Sequence, residues 1–160
     1  MEKQEGKCRL LVLVPCPFQG HINPMLQLGT ILHSKGFSIA IAHTKFSFPD
    51  TTNHPDFIFL SLLDGSSYKL EDDFIAFMSN LNSNCRAPLQ HVLTRIMREQ
   101  EQHEALPCII YDALMYFAEA VACHLKLPSL ILHTGGAANS LTLLRISSPA
   151  RGRLHSFARF

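Results

Sequence analysis

The chain has 160 residues, 47% of them hydrophobic and 17% charged, which is enough apolar content to bury one core and excludes the disordered class. Fourteen basic residues against thirteen acidic ones leave a formal net charge of +1. That balance excludes the concentrated positive field that nucleic acid or an anionic membrane surface calls for, and it points to small-molecule partners.

In chain order, CRLLVLVP at residues 8–15 is a continuous apolar run. Continuous rather than alternating runs mark strands buried on both faces, so a first strand is expected here. Its apolar part is too short for a signal-peptide core and is broken by Pro15 and Pro17. After a loop, Asn23 is expected to cap a helix with Pro24 in its first turn; Met25, Leu28 and Leu32 recur at helical spacing, and Gly36 ends it. FSIAIAH at 37–43 and FIFLSL at 57–62 read as the second and third strands. A strand–helix–strand opening implies a right-handed crossover and a parallel sheet.

Residues 71–102 hold two helical stretches, divided near Asn82 to Cys85. PCIIYD at 107–112 is a fourth strand, ALMYFAEAVACHLKL at 113–127 an apolar helix, and PSLILH at 128–133 a fifth strand. Helix and strand alternate throughout, which is the mark of an α/β layer fold. The expected fold class is a Rossmann-like parallel sheet with helices on both faces and strand order 3-2-1-4-5. The closing stretch RISSPARGRLHSFARF carries four arginines, no acidic residue and no assignable periodicity.

The five cysteines, Cys8, Cys16, Cys85, Cys108 and Cys123, are odd in number and form no C-x-x-C pair. This argues against a disulfide framework and a structural zinc site, and a reducing cytoplasmic compartment is expected. No stretch approaches the roughly 20 apolar residues of a membrane span.

In a sheet so ordered the first and fourth strands are neighbours, spaced about 4.8 Å, and the winding reverses between them, where ligands bind. His21 lies just beyond the carboxyl end of the first strand and Asp112 at the tip of the fourth. A carboxylate bonded to one imidazole nitrogen fixes the tautomer and leaves the other free to take a proton from a hydroxyl. No G-x-S-x-G elbow supplies a nucleophile, so the nucleophile would belong to a substrate. Taken singly, the histidine also serves as a turn residue and the aspartate as a helix cap, and the residues alone leave both readings open.

VPCPFQGHINPMLQLGTILHSKGFSIAIAHTKF followed by CIIYDALMYFAEAVACHLKLPSLILHT resembles the amino-terminal domain of plant family 1 UDP-glycosyltransferases. The resemblance runs from about residue 8 to about residue 143. It implies the amino-terminal half of a GT-B fold, with the acceptor held mainly by this half and a UDP-sugar, UDP-glucose being the commonest, held mainly by a second. His21 matches the family's base and Asp112 its partner. Thr134 matches a position that contacts the donor sugar, with Gly135 beside it where relatives often carry serine. Phe18, Gln19, Gly20, Leu114 and Asn139 match positions lining the acceptor pocket. The implied transfer needs no metal and no cofactor beyond the UDP-sugar.

The family's tryptophan-rich donor box is absent, and the chain contains no tryptophan. The resulting expectation is an acceptor-binding domain over residues 1–144, a non-native tail over 145–160 consistent with a frameshift, and no donor-binding domain. Such a chain is expected to be inactive alone. The competing expectation is a non-catalytic module that binds a small molecule or a partner and transfers nothing. A nicotinamide-binding domain is disfavoured by the missing G-x-G-x-x-G turn.

Overall fold

The computed structural model describes residues 9–46, 51–62, 73–99 and 107–135. In chain order these form β1 (Leu10–Val14), α1 (Gln19–Ser34), β2 (Ser38–Thr44), β3 (Ile58–Leu62), α2 (Phe74–Glu99), β4 (Cys108–Asp112), α3 (Phe117–Leu125) and β5 (Ser129–Leu132). The strands make one parallel sheet in the order β3-β2-β1-β4-β5, the order expected from the sequence.

β1 is buried at all five positions because it is central and covered on both sides. Val12 and Val14 join Ala40, Ala42, Ile109 and Tyr111 in a core closed by Leu81 and Leu89 of α2 and Val121 of α3. Leu11 and Leu13 point the other way, joining Ile39, Ile41 and Ile110 in a second core closed by Ile22, Met25 and Leu26 of α1. Alternate residues of one strand thus feed two apolar layers, so an uninterrupted apolar run is needed. Gly29 lets α1 approach β1: a Cβ there would stand 3.1 Å from Leu13 Cδ1 and 3.1 Å from Phe57 Cε2. Gly36, at φ +89°, takes the left-handed conformation that follows the end of α1.

Three boundaries differ from the sequence expectation. The first helix starts at Gln19, not after Asn23, so Pro24 lies inside it and His21 sits in its first turn. Phe18, extended at φ −124° and ψ 144°, opens the helix by accepting the amides of His21 and Ile22 on its carbonyl at 2.8 and 2.9 Å. The proline removes one later backbone bond, toward the exposed Gly20.

The second difference is that α2 runs unbroken through Asn82–Cys85, the expected division. Cys85 is buried in the core and Asn82 is buried against the turn that follows β4; the Asn82 amide donates to the Met78 carbonyl one turn back at 2.9 Å. Burial of Leu81, Cys85 and Leu89 in the core carries the helix through this stretch against the local preference of asparagine for turns. Third, residues 113–116 form a turn and α3 begins only at Phe117. The expected tail at 145–160, and Asn139, lie outside the described residues. Among the described residues no helix is long and apolar enough to cross a membrane, and the cysteines Cys16, Cys85, Cys108 and Cys123 carry free thiols.

Candidate active site

The chain winds from β1 through β2 to β3 in one direction and then through β4 to β5 in the other, so its reversal lies between β1 and β4. Three side chains meet over the carboxyl ends of β1, β4 and β5. His21 comes from the first turn of α1, Asp112 is the last residue of β4, and Thr134 follows β5.

His21 Nδ1 lies 2.8 Å from Asp112 Oδ2 and 2.6 Å from Thr134 Oγ1. The Thr134 hydroxyl donates to Asp112 Oδ2 at 3.0 Å, so its one proton is committed to the carboxylate. Both neighbours of Nδ1 are therefore acceptors. Nδ1 carries the proton, and Nε2 is the free base nitrogen.

The carboxylate is fully used. Oδ1 accepts the Leu114 amide at 3.0 Å while Oδ2 takes His21 and Thr134. Its side chain is 1% exposed against 29% for His21, so the anchor is buried and the ring stays accessible. Three donors offset the cost of burying this polar group. Asp112 does not cap α3, which begins at Phe117 behind Tyr116; its Oδ1 closes the turn that follows β4, and its Oδ2 bonds the imidazole.

Cys16, wholly buried below the start of α1, is drawn into the same cluster, its Sγ and the facing atoms of His21 and Asp112 lying within 4.8 Å of one another. Burial, and secondarily the Asp112 charge, push its thiol up to about 12 from 9.0. That leaves a thiolate fraction roughly a thousandfold smaller near neutral pH than an unperturbed thiol has. A metal on these three atoms would have to ionise that thiol and displace the Nδ1–H bond to Asp112, so the donor set suits proton chemistry better. Iodoacetamide at neutral pH is expected to label the exposed Cys123 and spare Cys16 until the chain is unfolded. Peptide mass mapping checks this; equal labelling of the two would contradict the buried setting.

Beside the histidine stands an aromatic cluster. The Phe18 ring centre is 6.5 Å from His21, 6.1 Å from Phe46, 6.0 Å from Phe74 and 5.8 Å from Phe77. Phe46 and Phe77 are 5.1 Å apart, and Phe46 and Phe74 are exposed. The four rings pack on one another around Phe18, which links His21 to Phe77 in the core, while Phe46 and Phe74 leave apolar surface exposed.

Of the residues singled out in the sequence, His21, Asp112 and Thr134 come together directly. Phe18 belongs to the ring cluster, and Leu114 is half-buried, with its amide on Asp112. Gln19 and Gly20 are exposed in the first turn of α1, and Gly135 is exposed beside Thr134. Phe46, Phe74, Phe77 and Cys16 were missed. The i, i+3 spacing of Phe74 and Phe77 was the available signal for two of them, and the position of Cys16 just past β1 for another.

No protein-family profile matches the chain. Among curated proteins it is 44% identical over 137 residues to UDP-glycosyltransferase 76E1 of Solanum lycopersicum, a match covering 85% of this chain and 28% of that protein. It is 40% identical over 142 residues to UDP-glycosyltransferase 76G1 of Stevia rebaudiana, covering 82% and 30%. With flavonol 3-O-glucosyltransferase UGT76E12 of Arabidopsis thaliana it shares 40% identity over 144 residues, covering 86% and 30%. The chain thus spans about three-tenths of the length of the curated relatives it matches. In fold it resembles Phytolacca americana apo UGT2, with a TM-score of 0.70 at 19% identity over 87% of this chain and 32% of that one. It also resembles Os79 from O. sativa in complex with U2F and trichothecene, at TM-score 0.66 and 21% identity over 85% and 32%.

Proposed function

We propose, from the premise that this chain belongs to the plant UDP-glycosyltransferase family and matches the amino-terminal part of its members, that it carries the acceptor-activating half of an inverting sugar-transfer site. The observation that carries this reading is the Nδ1 to Oδ2 bond of 2.8 Å between His21 and Asp112 at the reversal of the sheet.

In the proposed step Nε2 of His21 takes the proton of an acceptor hydroxyl. The oxygen forms a bond to the anomeric carbon of a UDP-sugar while the bond from that carbon to the diphosphate breaks, and UDP leaves with the electron pair. The imidazolium so formed lies in the first turn of a helix, whose positive end opposes it, and the Asp112 carboxylate offsets that. Glucose is the proposed sugar and a flavonol or terpenoid alcohol the proposed acceptor, supported by the flavonol glucosyltransferase among the relatives and by the ring cluster at Phe18. Thr134 and Gly135 are the proposed donor-side residues, with the remaining donor contacts supplied by the part of the family beyond the matched third. The free thiols support a reducing cytosolic location.

The test joins this chain, through residue 135, to the matching remainder of the tomato relative and measures glucoside formation from UDP-glucose and quercetin. The joined protein is expected to transfer glucose, and the 160-residue chain alone to bind quercetin without turnover. Binding without transfer in the joined protein would favour a non-catalytic module, and failure to bind would defeat the acceptor assignment.

A further inference from the structure

We propose that Asn82 is a positioning residue for the His21–Asp112 pair, acting by clamping the turn that follows β4 against α2. Asn82 is a polar side chain buried on α2, 3% exposed. Its amide nitrogen donates to the Leu114 carbonyl at 2.9 Å and to the Met78 carbonyl at 2.9 Å, and its amide oxygen accepts the Phe117 amide at 3.0 Å. Leu114 is thereby held from both ends: its N–H bonds the Asp112 carboxylate and its C=O bonds Asn82.

The bond to Phe117 has a second consequence. α3 begins at Phe117 behind Tyr116, which has helical torsions and makes no side-chain cap bond. The amide oxygen of Asn82 serves as a cap borrowed from another helix. One side chain therefore ties α2, the turn and the start of α3 into a unit whose near end is Asp112. The Oδ1 bond to Leu114 sets the plane of the carboxylate, and that plane aims Oδ2 at His21. A catalytic constellation tolerates displacements of only about 0.5 Å, so a turn freed from α2 is enough to misdirect the pair.

This inference rests on His21 being a base oriented by Asp112, but its readout does not depend on turnover. Long-range proton–nitrogen NMR spectra of the ¹⁵N-labelled 160-residue chain report which imidazole nitrogen of His21 carries the proton. The unaltered chain is expected to show the Nδ1–H tautomer. Asn82→Ala is expected to shift His21 to predominantly Nε2–H, the form free imidazole favours in water. Leu93→Ala, which opens a cavity elsewhere in α2 at a fully buried position, is expected to lower the melting temperature and leave the tautomer unchanged. An unchanged tautomer in Asn82→Ala, or the same shift in Leu93→Ala, would overturn the proposal. An unaltered chain lacking the Nδ1–H form would defeat the base assignment instead. Should Asn82→Ala not fold, hydrogen exchange in the unaltered chain decides: Leu114 and Phe117 amides protected like those of central α2 support the clamp, and free exchange there with α2 protected overturns it.

Discussion

Replacing His21 with alanine in the joined protein is expected to lower kcat by about 10²- to 10⁴-fold, the usual contribution of a positioned general base. The acceptor KM is expected to change little, because the ring cluster of Phe18, Phe46, Phe74 and Phe77 remains. The ring is accessible and makes its side-chain hydrogen bonds through Nδ1, so its removal leaves Thr134 still bonded to Asp112 and the fold intact. Initial rates across acceptor concentrations, with a thermal melt of the same preparation, make the check. A variant that keeps kcat within a few fold of the parent would remove His21 from the chemistry.

Asp112→Asn is expected to cost about as much, roughly 10²- to 10⁴-fold in kcat, through the tautomer rather than through packing. The Leu114 backbone amide faces Oδ1 and cannot reverse its polarity. The new NH₂ group is therefore driven to the Oδ2 side, where His21 Nδ1 and the Thr134 hydroxyl now stand. The threonine hydroxyl can rotate away; the imidazole answers by moving its proton to Nε2, so that Nδ1 accepts from the amide. The nitrogen facing the acceptor is then already protonated and cannot serve as a base. NMR of the variant should show Nε2–H on His21 together with the loss of kcat. Retention of the Nδ1–H form with normal turnover would show that the carboxylate does not set the tautomer.

Much of the sheet was legible because burial on two faces leaves a strong trace in the sequence. LLVLV, SIAIA and CIIYD each serve two cores at once, and only uninterrupted apolar runs do that. Their alternation with helices implied the crossovers, and a Rossmann-like strand order, once taken, put His21 and Asp112, 91 positions apart, over the ends of neighbouring strands. Helix limits were less legible. Pro24 and Asn82 carry local preferences for a helix start and a helix break, and both lie inside helices because packing of Ile22 and Met25 in one core, and of Leu81 and Cys85 in the other, outweighs those preferences.

The sequence by itself therefore carried the layer fold and the strand order, which follow from periodicity and alternation, and it placed a histidine and a carboxylate over neighbouring strand ends without deciding whether they pair. Tertiary structure alone decided that the threonine hydroxyl donates its proton to the carboxylate, that phenylalanines from three segments gather around Phe18 beside the imidazole, and that an asparagine on α2 bonds the turn below. Hydrogen-bond direction and ring contact depend on distances of a few tenths of an ångström between groups far apart in the chain, and no local pattern of residues encodes those distances.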